Sequence, residues 1–193
     1  MSAYELYVLL HVGGAAVWVG SAFLMVVLLT RAVRAADAER TSALARDSEW
    51  LGLRLFLPAN LVVLVSAILL VEDGGFGWGR LWVVLGIAGF GASLVLGMAV
   101  FAPGWTRVVG LVRTEGADAP AVRAWTRRLL LFSRVDVGLL LGVLVVMVAK
   151  PTADDAGALA LAAAIPLAVG AVALALFRTE SEPEERPATP EAV

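Results

Sequence analysis

The chain has 193 residues, 60 % of them hydrophobic, and a formal net charge of -2, with a mean hydropathy of +0.87 and an isoelectric point near 5.4. Soluble domains run at roughly 45–50 % apolar residues, so a water-soluble core cannot hide this much apolar surface. The charge balance excludes a nucleic-acid partner, which needs a basic face rather than arginines set beside apolar runs. The absence of cysteine excludes disulfides, thiolate metal sites and cysteine nucleophiles.

A bilayer core about 30 Å thick needs roughly 20 helical residues, and five stretches meet that length: 6–29, 51–71, 81–101, 129–149 and 156–177. Each is apolar around its whole circumference, as expected where lipid or other spans cover every face. The predicted fold is therefore all-α, a polytopic membrane bundle of five spans over residues 1–177. The first run lacks a basic start and, at about 24 residues, exceeds the ~7–15 of a signal's apolar region, so it is read as a permanent span. Residues 32–45, rich in Ala and Arg, are expected to extend it as a helix beyond the membrane.

Pro58 is expected to kink the second span, and Pro166 the fifth. The turn Glu72-Asp73-Gly74-Gly75-Phe76-Gly77-Trp78-Gly79 has glycines but no phosphate-cradling spacing, and reads as an outer turn with aromatic anchors. Span three carries Gly89, Ser93 and Gly97, and span four Gly138 and Gly142; this four-residue spacing of small side chains lets helices pack closely in lipid. Residues 104–113 are predicted to lie on the membrane surface as a short amphipathic helix anchored by Trp105. The break at Gly116 to Pro120 follows, with Asp118 capping the next helix. Residues 178–193, with five glutamates and three prolines, read as a disordered acidic cytoplasmic tail.

The charges between spans set the expected orientation. Arg31, Arg34, Arg40 and Arg46 precede span two and Arg54 lies near its start; Arg107, Arg113, Arg123, Arg127, Arg128 and Arg134 lie before and within the start of span four; Arg178 and Arg186 follow span five. The alternate loops hold only Arg80 and Lys150, beside Glu72, Asp73, Asp154 and Asp155. Positive loops stay in the cytoplasm, so the amino terminus is expected outside and the carboxyl terminus inside. The preference for arginine over lysine reads as the coding bias of a GC-rich bacterium, and so as a multi-pass protein of the bacterial cytoplasmic membrane.

Few polar residues lie inside the spans, and each is a functional candidate by default. His11, the single histidine, lies roughly 8 Å inside the outer boundary by helical rise. Gly14, Ala15, Trp18, Ala22 and Met25 share its face, a groove of small side chains edged by an indole that would admit another helix or a flat ligand. His11 is then an axial ligand to haem or a proton-handling group, or else a histidine hydrogen-bonded to a neighbouring helix. Lys150 ends span four on the same side and either snorkels to the interface or shares a site with His11. Asp136 lies about 10 Å deep from the cytoplasmic face by the same rise. Asn60 and Arg54 lie in its leaflet, and the three form either a structural clamp between spans two and four or a step in a proton or ion path, with Arg134 reaching toward headgroups. No HExxH, GxSxG or CxxC motif occurs, which argues against conventional hydrolase or metalloprotease chemistry.

The opening Tyr7-Val-Leu-Leu-His11-Val-Gly-Gly-Ala-Ala-Val-Trp18-Val-Gly20, together with Asp136 and the Met147-Val-Ala-Lys150-Pro151 close of span four, resembles the bacterial integral membrane proteins grouped as DUF2269. The resemblance covers about residues 4 to 151. The first motif is also similar to the opening helix of the copper resistance D proteins and of the membrane protoporphyrinogen oxidase HemJ. That similarity implies haem b as a cofactor, with His11 and Lys150 as haem-site residues and Gly14 and Trp18 lining; the Met and His clusters that collect copper are missing. The expected function is that of a membrane-complex subunit or accessory factor, in a homo-oligomer or with a membrane partner protein. The alternatives are a HemJ-like haem redox protein, and a small transporter or proton pathway built on Asp136 and Asn60.

Overall fold

A computed structural model of the chain describes residues 1–181. The described residues form helices: α1 (Ala3–Arg34), α2 (Ala38–Leu51), α3 (Leu57–Asp73), α4 (Leu81–Leu96), α5 (Ala102–Glu115), α6 (Pro120–Ala149) and α7 (Ala156–Ser181). A π-helical turn, Gly52–Phe56, joins α2 to α3, and a second, Gly97–Phe101, joins α4 to α5. The seven helices thus make five rods, each long and apolar enough to cross a membrane.

The first rod opens with a capping box: Ser2 Oγ accepts from Glu5 N at 3.2 Å, and Glu5 Oε2 accepts from Ser2 N at 2.7 Å, which satisfies two orphan donors reciprocally. It stops at Arg34, where Ala36 turns to φ 51 and the Asp37 side chain caps a new helix by accepting from Arg40 N at 2.9 Å. The helix expected over 32–45 is present, but most of it belongs to the second rod. A run of Ala and Arg permits a helix without choosing its register; the Asp37 cap decides where it starts.

The two π turns share one local pattern. Gly52-Leu-Arg-Leu-Phe-Leu-Pro58 and Gly97-Met-Ala-Val-Phe-Ala-Pro103 both read Gly-x-x-x-Phe-x-Pro. In each, the residue before the proline donates its N–H five residues back, Leu57 to Gly52 and Ala102 to Gly97. A proline inside a regular α-helix has no N–H and crowds the carbonyl four residues before it, and a wide turn placed just ahead gives the ring room. The distortion expected at Pro58 takes this form, and it recurs at Pro103. A Cβ added at Gly52 or Gly97 would meet nothing within 4 Å, so close packing does not explain either glycine.

Glycines set the helix seams. A Cβ on Gly14 would stand 3.0 Å from Val63 Cγ2, where α1 meets α3, and one on Gly89 would stand 2.2 Å from Val143 Cγ2, where α4 meets α6. On the other side of α6, a Cβ on Gly142 would lie 2.7 Å from the backbone oxygen of Ala162, and one on Gly138 would lie 2.8 Å from Val169 Cβ, both in α7. The small-residue faces predicted at Gly89, Gly138 and Gly142 are therefore seams, as lipid-embedded packing requires; Gly97 belongs to the π turn instead. α1 lies against both α3 and α6, α6 also carries α4 and α7, and α6 is the most enclosed of the five rods.

At the arginine-rich end, α2 and α5 pack together with the adjoining ends of α1 and α6 around a second apolar core that includes Leu29, Ala45, Trp105, Val108, Leu129 and Leu130. Trp105 is only 7 % exposed. The surface helix expected over 104–113 is instead the continuation of the third rod, and its tryptophan faces inward, because α2 gives that face a partner. Asp118 does not cap α6: the N-cap is Ala119, without a side-chain bond, and the Asp118 carbonyl accepts from Arg123 Nη1. α7 carries on through Arg178 to Ser181, four residues into the expected tail; the rest of that tail lies outside the described residues.

Candidate functional sites within the bundle

His11 is held by α3. Its Nδ1 lies 3.2 Å from the Val63 carbonyl oxygen and 3.4 Å from Ser66 Oγ, while that hydroxyl lies 2.5 Å from the Val62 carbonyl and 3.1 Å from that of Val63. A carbonyl can only accept, so Nδ1 carries the proton and donates to Val63, which leaves Nε2 as the ring's acceptor. The groove of small residues beside His11 is filled by α3, through Ala59, Val62 and Val63 against Gly14. Of the two occupants expected there, the structure supplies a helix.

Trp18, 7 % exposed, packs with Ala59, Val63 and Leu140 and meets Phe90 edge-on at 5.5 Å between ring centroids. It joins α1, α3, α4 and α6 in one contact, which accounts for its burial without a ligand.

Lys150 ends α6 in a left-handed conformation, φ 46, and its Nζ lies 4.9 Å from the Phe76 ring centre and 5.3 Å from that of Trp82. These rings stack edge-to-face at 5.3 Å. The ammonium is thus held at the aromatic turn between α3 and α4 by cation–π attraction, with partners distinct from those of His11. The turn itself is pinned by Trp78 Nε1 donating to Glu72 Oε1 at 2.7 Å and Arg80 Nε donating to the Phe76 carbonyl at 3.1 Å.

Asp136, Asn60 and Arg54 go to three separate places. Asp136, 6 % exposed, has the side chain of Ser93 beside it, 4 % exposed on α4. Its Oδ1 is buried without a hydrogen-bond partner among the described residues. Asn60 donates Nδ2 to the Phe56 carbonyl of its own helix at 2.8 Å, and its Oδ1 is likewise buried and unpartnered among the described residues. Arg54 lies over the Trp50 ring at 5.1 Å. In place of the clamp expected between spans two and four, Asp136 has a polar neighbour on span three. α1 stands between α3 and α6, and α4 brings its hydroxyl to Asp136.

Arg134, expected at the headgroups, is 6 % exposed and reaches Thr30 Oγ1 at 3.3 Å. Sequence reasoning missed Ser66, Ser93 and Thr30. Each is a hydroxyl in an otherwise apolar run, and a search for donors at the depth of His11, Asp136 and Arg134 could have found them.

Apolar rods joined by buried hydrogen bonds, with arginines gathered at one end, define an all-helical integral membrane protein. The chain belongs to the family described as predicted integral membrane protein (DUF2269), whose model matches residues 5–151. The match takes in nearly all of α1 to α6 and ends before α7. No curated protein and no solved structure shows significant similarity to the chain.

Proposed function

We propose that this DUF2269 protein lies in the bacterial cytoplasmic membrane, amino terminus outside, as a subunit or accessory factor of a membrane complex. The supporting observation is the layer at the arginine-rich end, where α2, α5 and the ends of α1 and α6 bury an apolar core separate from the seams between spans. Such a layer is a folded platform fixed to the membrane, and the positive-inside rule assigns it to the cytoplasm. Purification from native membranes in a mild detergent, with the protein mass measured by light scattering, tests this reading. A stoichiometric assembly with itself or with a second membrane protein is expected; a clean monomer at physiological expression would contradict it.

A second reading, haem b bound by His11, has its own observation. Nδ1 pinned to a backbone carbonyl, with Nε2 left as acceptor, is how metal-ligating histidines are commonly oriented. Lys150 is held at the outer turn and α3 fills the face of Gly14, so the reading is of a five-coordinate haem or of one completed by a second subunit. Expression with ample haem should then give a purified protein with a Soret band that disappears in His11→Ala at unchanged elution volume. A colourless wild type would reject this reading and leave the first one standing.

A further inference from the structure

Where the second rod passes from α2 into its π turn, it faces α5 across an open recess of about 440 Å³. Arg46, Glu49, Trp50 and Arg54 line it from one side and Arg113 from the other. Arg46, Trp50 and Arg54 recur every four residues, so one helical face supplies two of the three guanidinium groups. Three arginines against one glutamate leave a formal charge of 3 − 1 = +2 in the recess. The Glu49 carboxylate is already engaged, accepting from Thr106 Oγ1 at 2.8 Å. Among the described residues none of the three arginines forms an ion pair: Arg54 rests on Trp50, and Arg46 makes only a long contact of 3.5 Å to Ser42 Oγ.

The surroundings of the recess are those of a membrane boundary. Trp50 is 54 % exposed and Leu53 75 %, and the exposed leucines continue into the apolar zone as Leu57 and Leu61. A tryptophan above exposed leucines marks the headgroup level of a bilayer. Guanidinium groups at that level match the oxygens of a phosphate, which they bind by paired hydrogen bonds. The exposed leucines of α3 lie where the acyl chains of the same molecule would run. A zwitterionic lipid brings its own ammonium into a recess that already has positive charge to spare, whereas an anionic lipid does not. We propose that this recess binds the phosphate headgroup of an anionic phospholipid, held by Arg46, Arg54 and Arg113 beside Trp50.

The test uses the full-length protein in a neutral detergent, titrated with dioleoyl phosphatidylglycerol, dioleoyl phosphatidylcholine or inorganic phosphate. Retained lipid is counted by native mass spectrometry, and the unfolding midpoint is followed in parallel. Phosphatidylglycerol should be retained in preference to phosphatidylcholine and raise the midpoint, while phosphate alone does neither. At the strength usual for basic residues near an anionic surface, each Arg→Gln change should weaken retention about fivefold, and R46Q/R54Q/R113Q together on the order of 100-fold. The charge-keeping R46K/R54K/R113K should recover much of the loss, and Arg40→Gln, at the other end of α2, should change nothing. Equal retention of the two lipids, an equal response to inorganic phosphate, or a folded triple Gln variant that keeps its phosphatidylglycerol would each overturn the proposal.

Discussion

Replacing Gly142 by alanine tests whether the fifth rod is a built part of the bundle. A Cβ there would lie 2.7 Å from the backbone oxygen of Ala162 and 3.2 Å from Pro166 Cδ. Ordinary contact begins at 3.4 Å, so α7 must retreat by about 3.4 − 2.7 = 0.7 Å. The obstacle is backbone and a proline ring, which cannot swing aside as a long side chain would. Overpacking of this kind costs about 1–3 kcal/mol, set against roughly 1 kcal/mol gained from the better helix propensity of alanine. The matched control is Gly170→Ala in α7, where a Cβ meets nothing within 4 Å and only the propensity gain applies. Reversible unfolding in mixed micelles, followed by tryptophan fluorescence, should therefore separate the two variants by about 1–3 kcal/mol, with Gly142→Ala the less stable. Equal stabilities would show that α7 is not seated on α6 as described.

Three further outcomes follow from the same geometry. Trp105→Ala, which opens the core of the arginine-rich layer, should lose about 3–5 kcal/mol, while Trp78→Ala at the exposed turn between α3 and α4 should lose far less; similar losses in the same unfolding assay would restore the surface-anchor reading of Trp105. Ser93→Ala takes from the buried seam the hydroxyl beside Asp136 and should destabilise by about 1–3 kcal/mol, and S93A/D136L, which removes both polar groups, should recover most of it; no loss in the single variant would refute the pairing. The exposed Asp155 carboxyl is held below its ordinary pKa by the Thr152 backbone N–H and then by the Thr152 hydroxyl, at 2.8 and 3.0 Å. A depressed carboxyl contributes stability that is present above about pH 4 and fades as pH falls through the folded-state value. NMR titration of the Asp155 side chain should therefore find a midpoint below that of Asp155 in a Thr152→Val variant, which loses the hydroxyl and keeps the backbone N–H; an unchanged midpoint would refute the contribution of the hydroxyl.

What could be read from the amino acids was what depends on hydrophobicity summed over twenty residues. The five spans, the turn with its aromatic residues between the second and third of them and the close seams at Gly89, Gly138 and Gly142 all follow from composition or from a small residue every four positions. What could not be read was which rod each neighbouring group would meet. The helix over 32–45 joined the second rod because one side chain, Asp37, caps it. Trp105 was legible as an amphipathic tryptophan, but its burial depends on α2 lying opposite. Asp136 found Ser93 rather than Asn60 because α1 occupies the space between α3 and α6, and helix order in the membrane plane leaves no trace in a run of leucine and valine. The paired Gly-x-x-x-Phe-x-Pro segments were visible in the residues, although their wide turns show only in the backbone hydrogen bonds.

The protein has no cysteine of its own, so single cysteines can report on the side of the membrane they face. Arg40→Cys and Arg123→Cys should react with a membrane-impermeant maleimide only after cells are permeabilised, while Gly77→Cys and Asp154→Cys should react in intact cells. Labelling of Arg40→Cys and Arg123→Cys from opposite sides would contradict the arrangement in which α2, α5 and the ends of α1 and α6 form one layer at one face of the membrane.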